Sequence, residues 1–252
     1  MYQQNQNYPG ATNYNPHGSY ASPISFPDVF RQVYLWLAIG LAIGFGVAYL
    51  LGNYALEQIA AGQYPIIANP IVMFGSIIAY LIVGFSFQFV VRRASPAIGG
   101  ILFIAFTALF GVMISSIFVV YSQASIWEAF LTAATMFAAM SLIGFTTRLD
   151  LSKFGAILFM ALIGLIVASV INFFLQSTLL VWIVSIAGVV IFCGLTAYDT
   201  QWIKRNAMSL SGQYGGAQAE VVSRIALFGA FRLFLDFVNI FLFLLNLMGR
   251  RR

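Results

Sequence analysis

The stretch GGILFIAFTALFGVMISSIFVVY, residues 99–121, decides the fold class of this chain. It carries no charged side chain, and it is long enough to supply the roughly 20 residues that a helix needs to cross about 30 Å of hydrocarbon. Backbone polar groups in lipid must be satisfied within the segment itself. The stretch is therefore predicted to be a transmembrane helix.

Similar runs lie on both sides of this one. Hydrophobic residues make up 61% of the chain and charged residues only 8%, whereas a soluble domain carries charge at about a quarter of its positions. The other apolar runs cover residues 33–51, 71–91, 125–147, 154–175, 179–199 and 225–248. The sequence therefore predicts an all-α membrane protein, a bundle of seven transmembrane helices.

The segments outside the bundle are short. Residues 1–27 are rich in Gln, Asn, Tyr, Gly, Pro and Ser and contain neither Lys nor Arg, so they are predicted to be a disordered polar tail. Residues 28–249 form the predicted transmembrane domain. Residues 250–252 form a basic C-terminus.

The positive charges of the loops predict the orientation. Eight cations precede the first span or follow the second, fourth and sixth spans, and the loops on the other side carry none. Because cationic loops stay in the cytoplasm, the N-terminus is predicted to be cytoplasmic. Seven full crossings place the three C-terminal arginines on the non-cytoplasmic side, whereas a re-entrant last segment would return them to the cytoplasm. The prediction remains seven full crossings. The eight cations are Arg31, Arg92, Arg93, Arg148, Lys153, Lys204, Arg205 and Arg224.

Four ionisable residues fall in or at the spans, where a charge needs a partner or an aqueous cavity. They are Glu128, Asp199, Arg232 and Asp236. Glu128 follows a tight turn closely and is predicted to be interfacial. Asp236 needs an explanation, because its neighbours in sequence are all apolar.

The depth of the two aspartates suggests a pair. If Arg232 extends to the cytoplasmic interface, Asp236 lies one helical turn inside it, at about the depth of Asp199 on the sixth span. Two facing carboxyl groups at low dielectric do not readily both ionise, so they would share a proton and titrate as a unit. The sequence thus predicts a pH sensor. The alternative is a static ion pair between Arg232 and Asp236, with Asp199 in water.

The same residues suggest a weak cation site. Asn239 lies three residues after Asp236 on the same helix face and is predicted to be a polar residue of a pore. Carboxylate and amide oxygens are ligands that calcium prefers, but two acids and one amide are few. Asp199 and Asp236 are therefore predicted to bind calcium transiently, as conduction requires. Calcium is expected as the permeant ion, and no cofactor is expected.

Two segments carry a resemblance to a known family. Cys193-Gly194-Leu195-Thr196-Ala197-Tyr198-Asp199-Thr200-Gln201 and Leu233-Phe234-Leu235-Asp236-Phe237-Val238-Asn239-Ile240-Phe241-Leu242 closely resemble the signature of the Bax inhibitor-1 family, or transmembrane Bax inhibitor motif family. The hydropathy profile resembles the family over residues 28–249. The resemblance implies seven helices with the last enclosed by the other six. It also implies a bacterial-type member in the inner (plasma) membrane.

The resemblance further implies a mechanism. Bacterial members are pH-sensitive calcium leak channels in which Asp199 and Asp236 would share a proton in the closed state and gate the pore as they titrate. An arginine near the cytoplasmic end of the second helix acts as a latch in the family, and Arg92 or Arg93 holds that position here.

Two features depart from the family pattern. Many relatives have an acid within the second span, which this chain lacks, so a calcium ligand there is in doubt. The position of Arg232 is commonly a small or polar residue in relatives. The hypothesis is that Arg232 shifts gating to lower pH, because a cation favours the ionised form of a nearby acid.

The leading prediction is a proton-gated calcium leak channel. The alternative is a non-conducting regulatory protein that binds another membrane protein, such as a protease or a cell-death factor, and the cytoprotective relatives support it. An enzyme is not expected, because the spans hold no histidine, no Gly-x-Ser-x-Gly element and no metal-ligand cluster. Aspartyl intramembrane proteases also use two aspartates, but the resemblance is to the other family. The expected partners are membrane lipid and calcium, with no nucleic acid.

Overall fold

Seven helices of the computed structural model are long and apolar enough to cross a membrane, as the sequence predicts. The structure describes residues 26–93, 95–210 and 218–250. Within these ranges the helices are α1 (Phe26–Ala60), α2 (Pro70–Arg93), α3 (Pro96–Ile114), α4 (Ile117–Val120), α5 (Gln123–Thr146), α6 (Gly155–Leu175), α7 (Thr178–Leu210) and α8 (Gln218–Met248). Helices α3 and α4 together make one span, so the predicted all-α bundle of seven transmembrane helices is confirmed.

Local sequence signals mark several helix ends. Pro70 and Pro96 begin α2 and α3, where the missing N–H of proline costs no helical hydrogen bond. The Ser122 side chain accepts a hydrogen bond from the Ser125 N–H at the start of α5. Gln176 adopts a left-handed conformation, with φ of 53°, and ends α6. These ends lie close to the predicted span boundaries.

Helix α8 lies inside the bundle. In its most apolar window 67% of the positions are buried, against 6% for the span Leu151–Leu175 that contains α6. Helix α8 packs against α1, α2, α3, α5 and α7, and α6 packs mainly on α7 at the outside. Four aromatic rings of α8 contact rings from α1, α2, α3 and α5; they belong to Phe231, Phe234, Phe237 and Phe241. The last span is therefore enclosed within the bundle as predicted, although by five of the other six spans, and α6 is the peripheral helix.

Glycines set the closest helix contacts. A Cβ placed on Gly111 of α3 would collide with the carbonyl oxygen of Gly44 on α1. A Cβ placed on Gly144 of α5 would collide with the backbone of Ala197 on α7, whose Cα would lie 2.8 Å away. Small residues allow backbones in membrane bundles to approach this closely. Helix α7 is thereby pressed against α5 just before Asp199.

Arg250, the last described residue, lies at the end of the bundle where α5 begins. The N–H of Arg250 donates a hydrogen bond to Ser125 Oγ at 3.0 Å, and the N–H of Ser122 donates to the Arg250 carbonyl at 3.2 Å. Helix α8 therefore crosses completely, and the re-entrant alternative for the last segment is wrong. The predicted disordered tail lies outside the described residues, apart from Phe26 and Pro27, which belong to α1.

Candidate functional site

A buried ion pair joins α7 to α8. Asp199 is on α7, and its side chain is 6% exposed. Arg232 on α8 donates from Nε to Asp199 Oδ2 at 2.8 Å and from an η nitrogen to Asp199 Oδ1 at 2.5 Å. This is the two-pronged geometry in which a guanidinium binds a carboxylate most strongly. Asp199 is thus the direct partner of Arg232.

Two aromatic rings of α7 also hold the guanidinium of Arg232. Its central carbon lies 5.1 Å from the ring centroid of Trp202 and 5.8 Å from that of Tyr198. The arginine is therefore oriented toward α7. The alternative prediction, a static pair of Arg232 with Asp236 and a solvated Asp199, is wrong on both counts, because helix packing favours the partner across the interface over the one four residues along.

Asp236 lies beside this pair without a cation of its own. The residue is 4% exposed, and its charge interacts with those of Asp199 and Arg232. Its Oδ2 atom has no hydrogen-bond partner within the part of the chain that the structure describes. A buried oxygen without a partner is costly, most of all when it is charged. The cluster contains two acids and one arginine, so a single proton would balance its charge.

The other predicted site residues form none of the contacts described above. Arg93 is exposed, and no ion pair connects it with either aspartate among the described residues. The side chain of Arg92 lies outside the described residues, so the predicted latch on α2 stays a prediction. The amide of Asn239 donates to the Leu235 carbonyl at 2.8 Å, and Asn239 borders a groove between α6 and α8. Glu128 is exposed, as predicted for an interfacial residue.

The donor set around Asp199 is small. Among the residues that the structure describes, no three His, Cys, Asp or Glu side chains are grouped where they could hold a metal ion. A tight calcium site needs six to eight oxygens, so the transient calcium site at Asp199 and Asp236 stays a prediction.

Sequence reasoning missed the residues that fasten α7 on the side away from α8. Thr200 Oγ1 lies 3.2 Å from Ser141 Oγ on α5, and Ser141 is hydrogen-bonded to the hydroxyl of Tyr34 on α1. Gln201 hydrogen-bonds the loop between α5 and α6. The only sign of their importance in the sequence was their place in the quoted signature, directly after Asp199.

Comparisons with known proteins identify a family and several relatives. A family model described as "Inhibitor of apoptosis-promoting Bax1" matches residues 27–252. The chain is 41% identical over 221 residues to the inner membrane protein YbhL of Escherichia coli K12, covering 88% of this chain and 91% of that protein. It is 38% identical over 222 residues to an uncharacterised protein of Deinococcus radiodurans, covering 87% and 89%. It is 35% identical over 238 residues to an uncharacterised membrane protein of Streptococcus pyogenes serotype M1, covering 94% and 99%.

Proposed function

This chain belongs to the Bax inhibitor family of integral membrane proteins, and we propose that it is a pH-sensitive calcium leak channel gated by Asp199 and Asp236. The proposal places the protein in a bacterial inner membrane with its N-terminus in the cytoplasm. The relative from Escherichia coli is named an inner membrane protein, and the loop cations favour this orientation.

One observation carries the proposal: beside the pair of Asp199 and Arg232, a carboxyl oxygen of Asp236 has no hydrogen-bond partner among the residues that the structure describes. While a proton remains on the aspartate pair, the cluster is close to neutral and α7 and α8 can stay in contact. Loss of that proton leaves two carboxylates in competition for one guanidinium. Like charges at low dielectric repel strongly, so the contact between α7 and α8 weakens.

Calcium enters as the ion that passes. Once the two carboxylates are both ionised, they offer the hard oxygen ligands that calcium prefers. A site with only two such groups binds weakly, and an ion that binds weakly can also leave, as conduction requires. Asn239 supplies a further polar group on the same helix, and Arg92 or Arg93 remains the proposed latch. No cofactor and no enzymatic activity form part of the proposal.

The test is calcium efflux from liposomes that contain a calcium-sensitive dye, followed across a series of pH values. The wild type is compared with Asp199→Asn and Asp236→Asn, and Glu128→Gln serves as a control because its carboxyl group is exposed elsewhere in the spans. We expect flux with a sigmoidal pH dependence in the wild type and the control. Either asparagine variant should lose that dependence. Asparagine variants with the wild-type pH profile would refute the gate.

A second candidate function follows from the description of the matching family model as an inhibitor of an apoptosis-promoting protein. In this reading the bundle is a cytoprotective regulator that binds another membrane protein, a protease or a cell-death factor, and conducts no ion. Absence of calcium flux in the wild type at every pH tested would favour it over the channel.

A further inference from the structure

Three consecutive side chains of α7 each fasten the helix to a different neighbour. Asp199 binds Arg232 of α8, Thr200 lies within hydrogen-bond distance of Ser141 on α5, and Gln201 binds the loop that follows α5. Successive residues of an α-helix point about 100° apart around its axis. Asp199 and Gln201 therefore hold α7 from nearly opposite sides.

Gln201 uses both ends of its side-chain amide on the backbone of the loop between α5 and α6. Its Nε2 donates to the Leu149 carbonyl at 2.8 Å, and its Oε1 accepts from the Leu151 N–H at 2.8 Å and also from the guanidinium of Arg205 on its own helix. The residue is 6% exposed. A buried amide with both ends satisfied by fixed backbone groups tolerates little rotation of its helix, because rotation leaves those groups unpaired.

The loop itself is held at Asp150, between the two residues that Gln201 binds. Its carboxylate accepts from the hydroxyl of Ser152 at 2.6 Å and from the Ser152 N–H at 3.1 Å, and it pairs with Arg205 of α7. The hydrogen bonds from Ser152, with those of Arg205, lower the pKa of Asp150 to about 2. Asp150 therefore stays ionised and keeps its contacts with Ser152 and Arg205 throughout the pH range in which the aspartate pair would respond.

Thr200 adds a third restraint. It is fully buried, and its hydroxyl continues through Ser141 to Tyr34 of α1. The rotation of α7 is thus fixed by contacts with α5 and the loop, and through Ser141 with α1.

We infer that Gln201, supported by Thr200, is a positioning residue that fixes the rotation of α7 so that Asp199 faces Arg232 and Asp236 on α8. Its effect on gating rests on the proposed channel function, but its effect on helix orientation does not. In this arrangement the contact between α7 and the loop that joins α5 to α6 stays the same during gating. The contact between α7 and α8, where the charged groups are Asp199, Arg232 and Asp236, is the one that changes.

The orientation of α7 can be measured by disulfide formation between α7 and α8. A Cβ placed on Gly229 would lie 3.0 Å from Ile203 Cγ1, so cysteines at these two positions should cross-link readily. The background is Cys193→Ala, which leaves the two introduced thiols as the only ones. Gln201→Leu is compared with Asn206→Leu, a matched control whose amide donates to the Trp202 carbonyl of its own helix.

We expect Gln201→Leu to slow cross-linking about tenfold, the size expected for the loss of the two hydrogen bonds that join Gln201 to the loop backbone. Asn206→Leu should leave the rate unchanged. Equal rates in both variants overturn the inference. If Gln201→Leu fails to insert into membranes, Gln201→Asn, which is one methylene too short to reach both backbone groups, replaces it with the same expectation.

Calcium flux separates this inference from the proposed function. In a conducting wild type, Gln201→Leu should move the pH midpoint toward higher pH, because Asp199 is no longer aligned with Arg232. A slowed cross-link in a protein that never conducts would support the positioning role while refuting the channel. An unchanged midpoint with an unchanged cross-link refutes the positioning role alone.

Discussion

Replacement of Arg232 by serine removes the only cation that binds Asp199 within the described structure. The guanidinium makes two hydrogen bonds to this carboxylate, at 2.8 and 2.5 Å, and lies over two aromatic rings of α7. Serine retains neither the charge nor the reach. Asp199 and Asp236 would then remain as two buried acids without a counter-charge.

The size of the effect follows from the geometry. A hydrogen bond to a charged group contributes about 1.5–3 kcal/mol, and the Arg232 side chain is 27% exposed, so we take the lower limit of about 1.5 kcal/mol for the pair. One pH unit of titration corresponds to about 1.4 kcal/mol. A cation favours the ionised form of an acid, so its removal lets the aspartate pair keep its proton to higher pH. The midpoint should therefore rise by about one pH unit.

Calcium efflux from dye-loaded liposomes, measured between about pH 5 and pH 9, reads out this midpoint directly. Arg232→Lys is the matched control, because lysine keeps the charge but cannot make the two-pronged contact. Its midpoint should lie between those of the wild type and Arg232→Ser. Superimposable curves for all three proteins, or a midpoint that moves to lower pH in Arg232→Ser, would refute the reasoning.

Two further predictions concern stability, measured by thermal unfolding in detergent micelles. Gly144→Val should destabilise by about 1–3 kcal/mol, because a Cβ there collides with the backbone of Ala197, whereas Gly164→Ala should be tolerated, since nothing lies within 4 Å of the added carbon. Equal melting temperatures for these two variants would contradict the close contact of α5 with α7. Asp150→Asn should lower the melting temperature by a constant amount at any pH above about 5, because the pKa of Asp150 is lowered from 3.8 to about 2 by Ser152 and Arg205. The stabilisation is present above the unfolded value and is lost as the pH falls through about 2, so a difference that varies between neutral and mildly acidic pH would contradict it.

The seven spans could be read from the sequence because their cause is local. A run such as residues 99–121 must be a helix in lipid whatever surrounds it, since its own backbone has to satisfy its own hydrogen bonds. The presence of a carboxyl group at Asp236 in the last span was equally visible, and so was its need for a special environment.

Only the tertiary structure decided which groups meet. The four-residue spacing of Arg232 and Asp236 offered an ion pair along α8, yet the guanidinium binds Asp199 across the helix interface. The latch position on α2 was inferred from resemblance, and no ion pair joins Arg93 to either aspartate among the described residues. Gln201 stood in the quoted signature, but its hydrogen bonds to the loop between α5 and α6 could not be read from the sequence. The rotation of each helix about its axis determines these contacts, and that rotation is set by packing against all its neighbours at once, including the collision-limited approach of Gly144 to α7.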